Sequence, residues 1–290
     1  MKRIIFLIPI FNDWESLIKL LKEINDVIKD EVKFNFECII VNDSSTIKQP
    51  KISRPPNLKS IEIINMKKNK GHARCNAFGL RYINSNKIFD YAIVMDSDGE
   101  DRPIEIKNLL DKVKKEPLTS VVAKRIKRSE GPIFQSLYQL HKLMTFLFTG
   151  KKIDFGNYSC LTKEDINTLS NKASLWSSFS GSVKKNIKNF NEVNSIRGLR
   201  YYGPSKMSLF NLVIHSFSII AVFKYNVLFR SMLFILIFQF FLNNQISFVL
   251  TLQILVILFN IVIFIVSLRE DEKSLIQSDK NILNVREITQ

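Results

Sequence analysis

Cysteine and histidine are both scarce in this 290-residue chain, at three each. Cys38, Cys75 and Cys160 are odd in number and widely spaced, which excludes a disulfide framework and a zinc site and fits a reducing compartment. His72 has no metal-ligand partner at useful spacing, and His141 and His215 fall within apolar helical stretches, where packing is the simpler role. Acidic residues are also in deficit. With 27 Asp and Glu against 42 Lys and Arg, the formal net charge is +15, so an anionic partner is expected. A secretory leader is not expected, because Lys2-Arg3 is followed by only a short apolar run that Pro9 and Asn12-Asp13 end.

Apolar side chains, in contrast, make up 46% of the chain and concentrate near its end. From Val227 to Leu268 almost every residue is apolar, with a polar turn at Asn243-Asn244-Gln245. The segment from Ile246 to Leu268 is long enough to cross a bilayer, which takes about 20 residues. Val227 to Leu242 is shorter, and the pair reads as a membrane hairpin. Leu209 to Phe223 before it carries an apolar face suited to lying along the interface. Basic segments beside membrane helices follow the positive-inside pattern, so lipid headgroups and phosphates explain the charge more simply than nucleic acid does. The N-terminal region is therefore expected in the cytoplasm, on an inner, multi-pass membrane protein.

Upstream, apolar runs alternate with amphipathic stretches. Strands are expected at Arg3 to Ile10, Phe36 to Asn42, Ser60 to Ile64, Tyr91 to Met95 and Leu118 to Ala123, with helices at Asp13 to Lys29 and Gly71 to Asn84. This order predicts an α/β fold with a mostly parallel sheet flanked by helices. Asn12-Asp13, Asp43 and the cluster Asp96-Ser97-Asp98-Gly99-Glu100-Asp101 then fall at three strand ends on one edge, where ligands of open α/β sheets sit. Asp96 and Asp98 are one residue apart, and both can offer oxygen to a hard divalent cation. Glu100 is either a further ligand or sugar contact, or favourable charge before the helix that Pro103 begins. The run Lys124 to Glu130 reads as a solvated face, or as a phosphate contact through Arg125 and Arg128, whose guanidinium groups hold phosphate oxygens in pairs.

Several of these segments together resemble the family 2 glycosyltransferases of GT-A fold, and among them the polyprenyl-phosphate sugar transferases of the dolichyl-phosphate mannose synthase type. Pro9-Ile10-Phe11-Asn12-Asp13 is similar to the P-x-Y-N-E opening, and Val41-Asn42-Asp43-Ser44-Ser45 to the V-D/N-D-G/S-S segment. Asn69-Lys70-Gly71-His72-Ala73 through Asn76 and Gly79 is similar to N-x-G-x-x-x-A-x-N-x-G. The stretch Asp96 to Pro103 stands where those synthases have D-x-D-x-Q-D-P-P, with Glu100 for Gln and Arg102 for the first Pro. Asp154 to Ser159 loosely resembles G-D/N-F-R-L, and Arg197 to Met207 resembles R-x-x-G-x-S-K-Y.

The resemblance implies donor-binding roles for Pro9, Asn12, Asp13, Asp43, Lys70, Gly71 and Asp96, with Asp13 and Asp43 on ribose and base. It implies a metal, Mg2+ or Mn2+, at Asp98 with Asp96 nearby, and catalytic roles for Asp96, Asp98, Glu100, Arg125 and Arg128. Arg200, Ser205 and Lys206 are implied to receive the acceptor's phosphate at the membrane edge, away from the donor pocket.

The expected organisation is a GT-A domain at 1–204, a juxtamembrane helix at 205–225, a transmembrane hairpin at 226–268 and a cytoplasmic tail at 269–290. The expected reaction moves a sugar from a nucleotide diphosphate to a polyprenyl phosphate with inversion. Family members that act on hydroxyls carry an E/T-D dyad and a Q-x-x-R-W element, whereas here Ala173-Ser174-Leu175 precedes Trp176. Two alternatives stay open: a same-fold transferase acting on a hydroxyl, with Asp154 or Glu100 as base, and a catalytically silent nucleotide-sugar-binding module. Homo-oligomerisation is also left open.

Overall fold

The computed structural model describes residues 1–127, 132–204, 208–241 and 245–288. The chain starts with β1 (Lys2–Ile10), α1 (Trp14–Ile28), β2 (Phe34–Asn42), β3 (Leu58–Met66), α2 (His72–Asn86) and β4 (Tyr91–Val94). It continues through α3 (Ile106–Lys115), β5 (Ser120–Lys127), α4 (Pro132–Thr149), β6 (Phe155–Thr162), α5 (Lys163–Leu169), α6 (Ala173–Ser177), α7 (Phe179–Asn186) and β7 (Phe190–Ile196). The remaining elements are α8 (Leu209–Ala221), α9 (Lys224–Phe241), α10 (Ile246–Ser267), α11 (Glu272–Ile276) and β8 (Ile282–Ile288).

Among the described residues the strands form one sheet in the order β7-β5-β6-β4-β1-β2-β3-β8. β1 pairs in parallel with β2 and β4, β2 with β3, and β5 with β7. β6 runs antiparallel to β4 and β5, and β8 antiparallel to β3. The fold is thus the α/β, mostly parallel sheet flanked by helices that the alternating pattern predicts. β4 and the buried part of β1, Ile4 to Ile10, are apolar on both sides because both faces are covered. Ile4, Phe6 and Ile8 of β1 enter the core beneath α1 and α3, and Ile5 and Leu7 enter the one beneath α2, α5, α6 and α7. α1 buries Trp14, Leu17, Leu20, Leu21, Ile24, Val27 and Ile28, the spacing of one helical face.

A proline inside a central strand normally costs a ladder bond. Leu7 accepts from Met95 N (3.2 Å), so Pro9, two residues on, faces the same side. The last β1–β4 pair is Leu7 with Val94, and β4 has ended by the level of Pro9, so its missing N–H breaks no pairing. The early end of β4 opens the crevice in which the acidic loop sits.

Two expectations are corrected. The tail expected at 269–290 is not one where it is described: residues 269–288 turn through α11 and return as β8, pairing Ile288 with Ile61 and Asn284 with Asn65. A buried polar ladder, Asn42 Nδ2 to Asn65 Oδ1 (2.7 Å) and Asn65 Nδ2 to Asn284 Oδ1 (2.8 Å), ties this strand to two others. The strand expected to end at Ala123 continues through Lys127, where β5 pairs with β7.

α9 and α10 are long and apolar enough to cross a membrane, and both are largely exposed. At about 1.5 Å per residue their lengths are roughly 27 and 33 Å. They touch through Asn260 Nδ2 to Ser231 Oγ (2.7 Å) and Gln253 Nε2 to Gln239 Oε1 (3.2 Å), the polar contacts that hold apolar helices together in lipid. The chain enters α9 from α8 and passes from α10 through α11 back into the sheet at β8, so the pair leaves and rejoins the α/β domain.

Candidate active site

The parallel direction of β1, β2 and β4 brings their C-terminal ends to one edge, and the segments that follow interlock there. Asn12 takes a left-handed backbone (φ 54°), and its Oδ1 accepts from Thr46 N (2.8 Å) and Ile47 N (3.0 Å). Asn12 thus clasps the loop after β2. Asp43 is buried and accepts from Lys70 N and Gly71 N, each at 2.8 Å, which fixes the start of α2. Gly71 precedes that helix with φ 90°, a conformation that a side chain would strain.

The acidic loop after β4 is closed by its own backbone. Asp96 N donates to Asp101 Oδ2 (2.9 Å), and Glu100 N donates to Asp98 Oδ1 (3.0 Å). On top of it lies the basic strip 197–204. Gly198 N donates to Glu100 O (2.8 Å), and Tyr201 N donates to Asp98 O (2.9 Å). Arg197 pairs with Glu100, and Arg200 spans two carboxylates, donating to Asp98 and, at 2.6 Å, to Asp13. Tyr201 covers Gly99 (φ 85°) so closely that a Cβ there would stand 2.4 Å from its ring. The Tyr201 hydroxyl donates to Glu23 Oε2 (2.6 Å), and the Lys19 ammonium lies 4.4 Å from the ring centre. The strip's origin is fixed too: Ser195 Oγ and Ile196 N, at the end of β7, donate to buried Glu105 at 2.6 and 2.9 Å.

Asp96 faces the other way, towards α2. His72 Nε2 stands 3.0 Å from Asp96 Oδ1, and Asn157 Nδ2 donates to the same oxygen at 3.2 Å. Arg125 completes this side. Its guanidinium lies over Gly156, where a Cβ would stand 2.2 Å from Nη2, and its backbone N donates to Asp154 O (2.8 Å). His215 of α8 is within electrostatic reach of His72, Arg125, His141 and Asp96, so the chain's three histidines converge on this face from α2, α4 and α8.

These surroundings set the protonation states. Burial raises the Asp96 carboxyl, but His72, Arg197 and Arg125 outweigh it and hold the group below its usual range. Close packing opposes a charge on His72, yet Asp96 raises it overall, so the two form an ion pair. Burial and the Asp96 charge raise Asp98 despite Arg200, and burial raises Glu100 despite Arg197. Asp101 is pushed up to about 7 by burial and by Asp96, against Arg125 and Arg197. Burial raises Asp43, opposed by the two backbone donors. His215 is brought down to about 4 by burial and by the charges of His72 and Arg125.

Asp13, Asp96, Asp98, Glu100 and Arg125 therefore stand around one site, with Pro9, Asn12, Asp43, Lys70 and Gly71 shaping its wall. Arg200 is the correction. Expected at the membrane edge away from the acidic cluster, it stands on Asp98 and Asp13 instead, because the strip after β7 folds back onto the acidic loop. Arg128, Ser205 and Lys206 lie outside the described residues. The sequence reading missed Arg197, Asp101, His72 and Asn157. All four stand inside the segments already quoted, but the pairing of His72 with Asp96 joins positions 24 apart, which no local pattern announces.

The family described as Glycosyl transferase family 2 matches residues 5–179, which include the acidic loop. The chain belongs to that family. An uncharacterised glycosyltransferase of Bacillus subtilis, YkcC, is 29% identical over 130 residues, 44% of this chain and 38% of that protein. An uncharacterised protein of Methanocaldococcus jannaschii is 28% identical over 112 residues, 38% of this chain and 46% of that one. The match thus spans less than half of either relative. Among solved structures, glucosyl-3-phosphoglycerate synthase from Mycobacterium tuberculosis, in complex with Mn2+, UDP-glucose and phosphoglyceric acid, aligns with TM-score 0.52. That alignment covers 78% of this chain and 80% of the other at 14% identity. A mannosyltransferase from Pyrobaculum calidifontis, in complex with GDP-mannose and Mn2+, aligns with TM-score 0.50 at 12% identity, covering 78% and 64%. These likenesses show that this family 2 member shares their GT-A-like fold.

Proposed function

We propose that this family 2 member is a membrane-anchored, inverting glycosyltransferase that moves a sugar from a nucleotide diphosphate to a polyprenyl phosphate. The observation that carries the reading is a single edge of the sheet. It holds the carboxylates Asp13, Asp96 and Asp98 together with the cations Arg125, Arg197 and Arg200, in a chain whose apolar helix pair leaves and re-enters the same domain. Nucleotide-sugar donors bound with Mn2+ in two proteins of this fold support the donor class. The domain and the returning β8 would face the cytoplasm, where nucleotide sugars and a reducing environment for three buried, free cysteines coincide.

Asp98 and Asp96 fit a divalent cation in type, since hard ions take carboxylate oxygen. Among the described residues no group of three His, Cys, Asp or Glu is placed to hold one. The protein would therefore give one or two ligands, and the diphosphate and water the rest, the usual pattern for Mg2+. When bound, the cation would neutralise charge growing on the leaving diphosphate.

A phosphate, with a second pKa of about 6, arrives anionic, so its oxygen attacks the anomeric carbon while the bond to the nucleoside diphosphate breaks and carries its electron pair away. No base is needed. A hydroxyl acceptor needs one, and both expected bases are already compensated: Glu100 by Arg197, and Asp154 by Lys124 at 3.6 Å. Membranes containing the protein, given labelled nucleotide sugars and either undecaprenyl phosphate or undecaprenol, test this. Label should enter the lipid phase with the phosphate alone, and equal transfer to the free alcohol overturns the reading.

A further inference from the structure

Away from the acidic loop, a cavity of about 200 Å³ opens where α8 passes into α9. Its walls are Lys151 from the α4–β6 turn, Lys184 and Lys185 from the end of α7, and Val222, Phe223, Tyr225 and Asn226 at the helix junction. A water occupies about 30 Å³, so the space suits a polar headgroup better than a single ordered solvent molecule. Three ammonium groups and no carboxylate line it. The neighbouring acid, Glu270, lies outside these walls, 3.6 Å from Lys224 and within electrostatic reach of Lys185, so it answers Lys185 and leaves Lys151 and Lys184.

The lysines do not all have the same task. Lys185 Nζ donates to Val222 O (2.8 Å) and so tethers the end of α8, where helix carbonyls lack partners. Lys184 lies with its ammonium 4.9 Å from the Phe190 ring centre, and Lys151 is exposed. Neither of these two lysines has a carboxylate partner among the walls of the cavity.

We infer that this cavity is a headgroup site for one anionic phospholipid, separate from the acceptor site and resting on the membrane reading proposed above. Charge decides the class of ligand: Lys151 and Lys184, with no carboxylate among the walls of a pocket at the foot of apolar helices, complement a phosphodiester. Position decides that it is lipid. The cavity adjoins the first turns of α9, whose Leu228, Phe229 and Met232 are 53%, 64% and 57% exposed and offer an apolar track for acyl chains. Tyr225, 75% exposed at the rim, is the residue type that marks the membrane–water boundary. A lipid held there would fix the tilt of the catalytic domain over the bilayer, because α7 belongs to that domain and α9 to the helix pair.

The test uses the full chain in detergent, with retained lipid read by native mass spectrometry. Wild type should retain phosphatidylglycerol, and Lys151→Gln with Lys184→Gln should weaken that retention about 30-fold, two cations contributing about 1 kcal/mol each. Phosphatidylcholine with the same chains should bind both proteins alike. Equal retention of phosphatidylglycerol by wild type and variant overturns the site. So does an equal loss in Lys107→Gln with Lys115→Gln, which removes the same charge from α3. Glycerol 3-phosphate binding as tightly as the lipid would assign the pocket to a soluble phosphate and also overturn it. Flotation with phosphatidylcholine vesicles separates the two readings: a wild type that fails to float refutes the membrane anchor, and one that floats but retains lipid no better than the variant refutes the pocket alone.

Discussion

Arg200 and a divalent cation are both expected at Asp98, and replacing Arg200 with alanine should reveal their competition. The guanidinium donates to Asp98 and to Asp13, with the three side chains 16%, 13% and 12% exposed, so these contacts are sheltered from solvent. A hydrogen bond between charged groups contributes about 1.5–3 kcal/mol. A cation that takes Asp98 must break one of them. Without that cost, Mn2+ should bind the Arg200→Ala protein about 10- to 150-fold more tightly, as 1.4 kcal/mol is a factor of about ten. The metal-free variant should in turn be less stable, by about 3–5 kcal/mol if the orphaned carboxylates stay charged. Burial and Asp96 already raise Asp98, and Arg200 opposes them, so its loss lets protons compete with metal as pH falls. The measurement is Mn2+ titration at pH 8 by calorimetry or spin resonance in detergent, with Arg200→Lys as the variant that keeps the charge but not the fork. Unchanged or weaker Mn2+ binding by Arg200→Ala at pH 8 would refute the shared position.

Asp98→Asn should abolish transfer while the far-ultraviolet spectrum stays native, since the amide still accepts from Glu100 N but brings no charge to a cation; full turnover in that variant refutes the metal role. His215 has its pKa lowered from 6.5 to about 4, so its contribution to stability is complete above 6.5 and is lost as pH falls towards 4. His215→Gln should therefore flatten the melting temperature between those values relative to wild type, and parallel curves would contradict it. Gly99→Ala forces a side chain to φ 85° and against Tyr201, costing about 1–3 kcal/mol in backbone strain alone; cleavage within 197–204 in limited proteolysis should quicken, and an unaltered digest counts against the strip's attachment to this loop. Tags at the two termini should be protected or digested together in sealed vesicles, because β8 pairs with β3; opposite accessibility would exclude a hairpin.

The centre of the fold was legible because its determinants are local. β1, β2 and β4 are apolar runs bounded by polar residues, and they read correctly since both their faces are buried. Parallel pairing then places every strand end on one edge, so the gathering of Asp13, Asp43, Asp96 and Asp98 followed from element order alone. β7 and β8 were not legible. Their sequences, Phe190 to Ile196 and Ile282 to Ile288, mix polar and apolar residues on partly exposed edge strands, and neither carries a run that burial would demand. The edge position makes them strands, and it exists only once β5 and β3 offer unpaired backbone.

The chain itself therefore determined the sheet, the acidic loop, the family and the apolar helix pair, all written in residues close together in sequence. Tertiary structure decided who answers the acidic loop. Arg200 meets Asp98 across 102 positions and Asp13 across 187, and Arg197 meets Glu100 across 97. A strip that the resemblance implies for the membrane edge instead lies over the acidic loop. A carboxylate cluster removed from water draws in whichever cations the fold can bring within reach, and reach is a property of the folded chain.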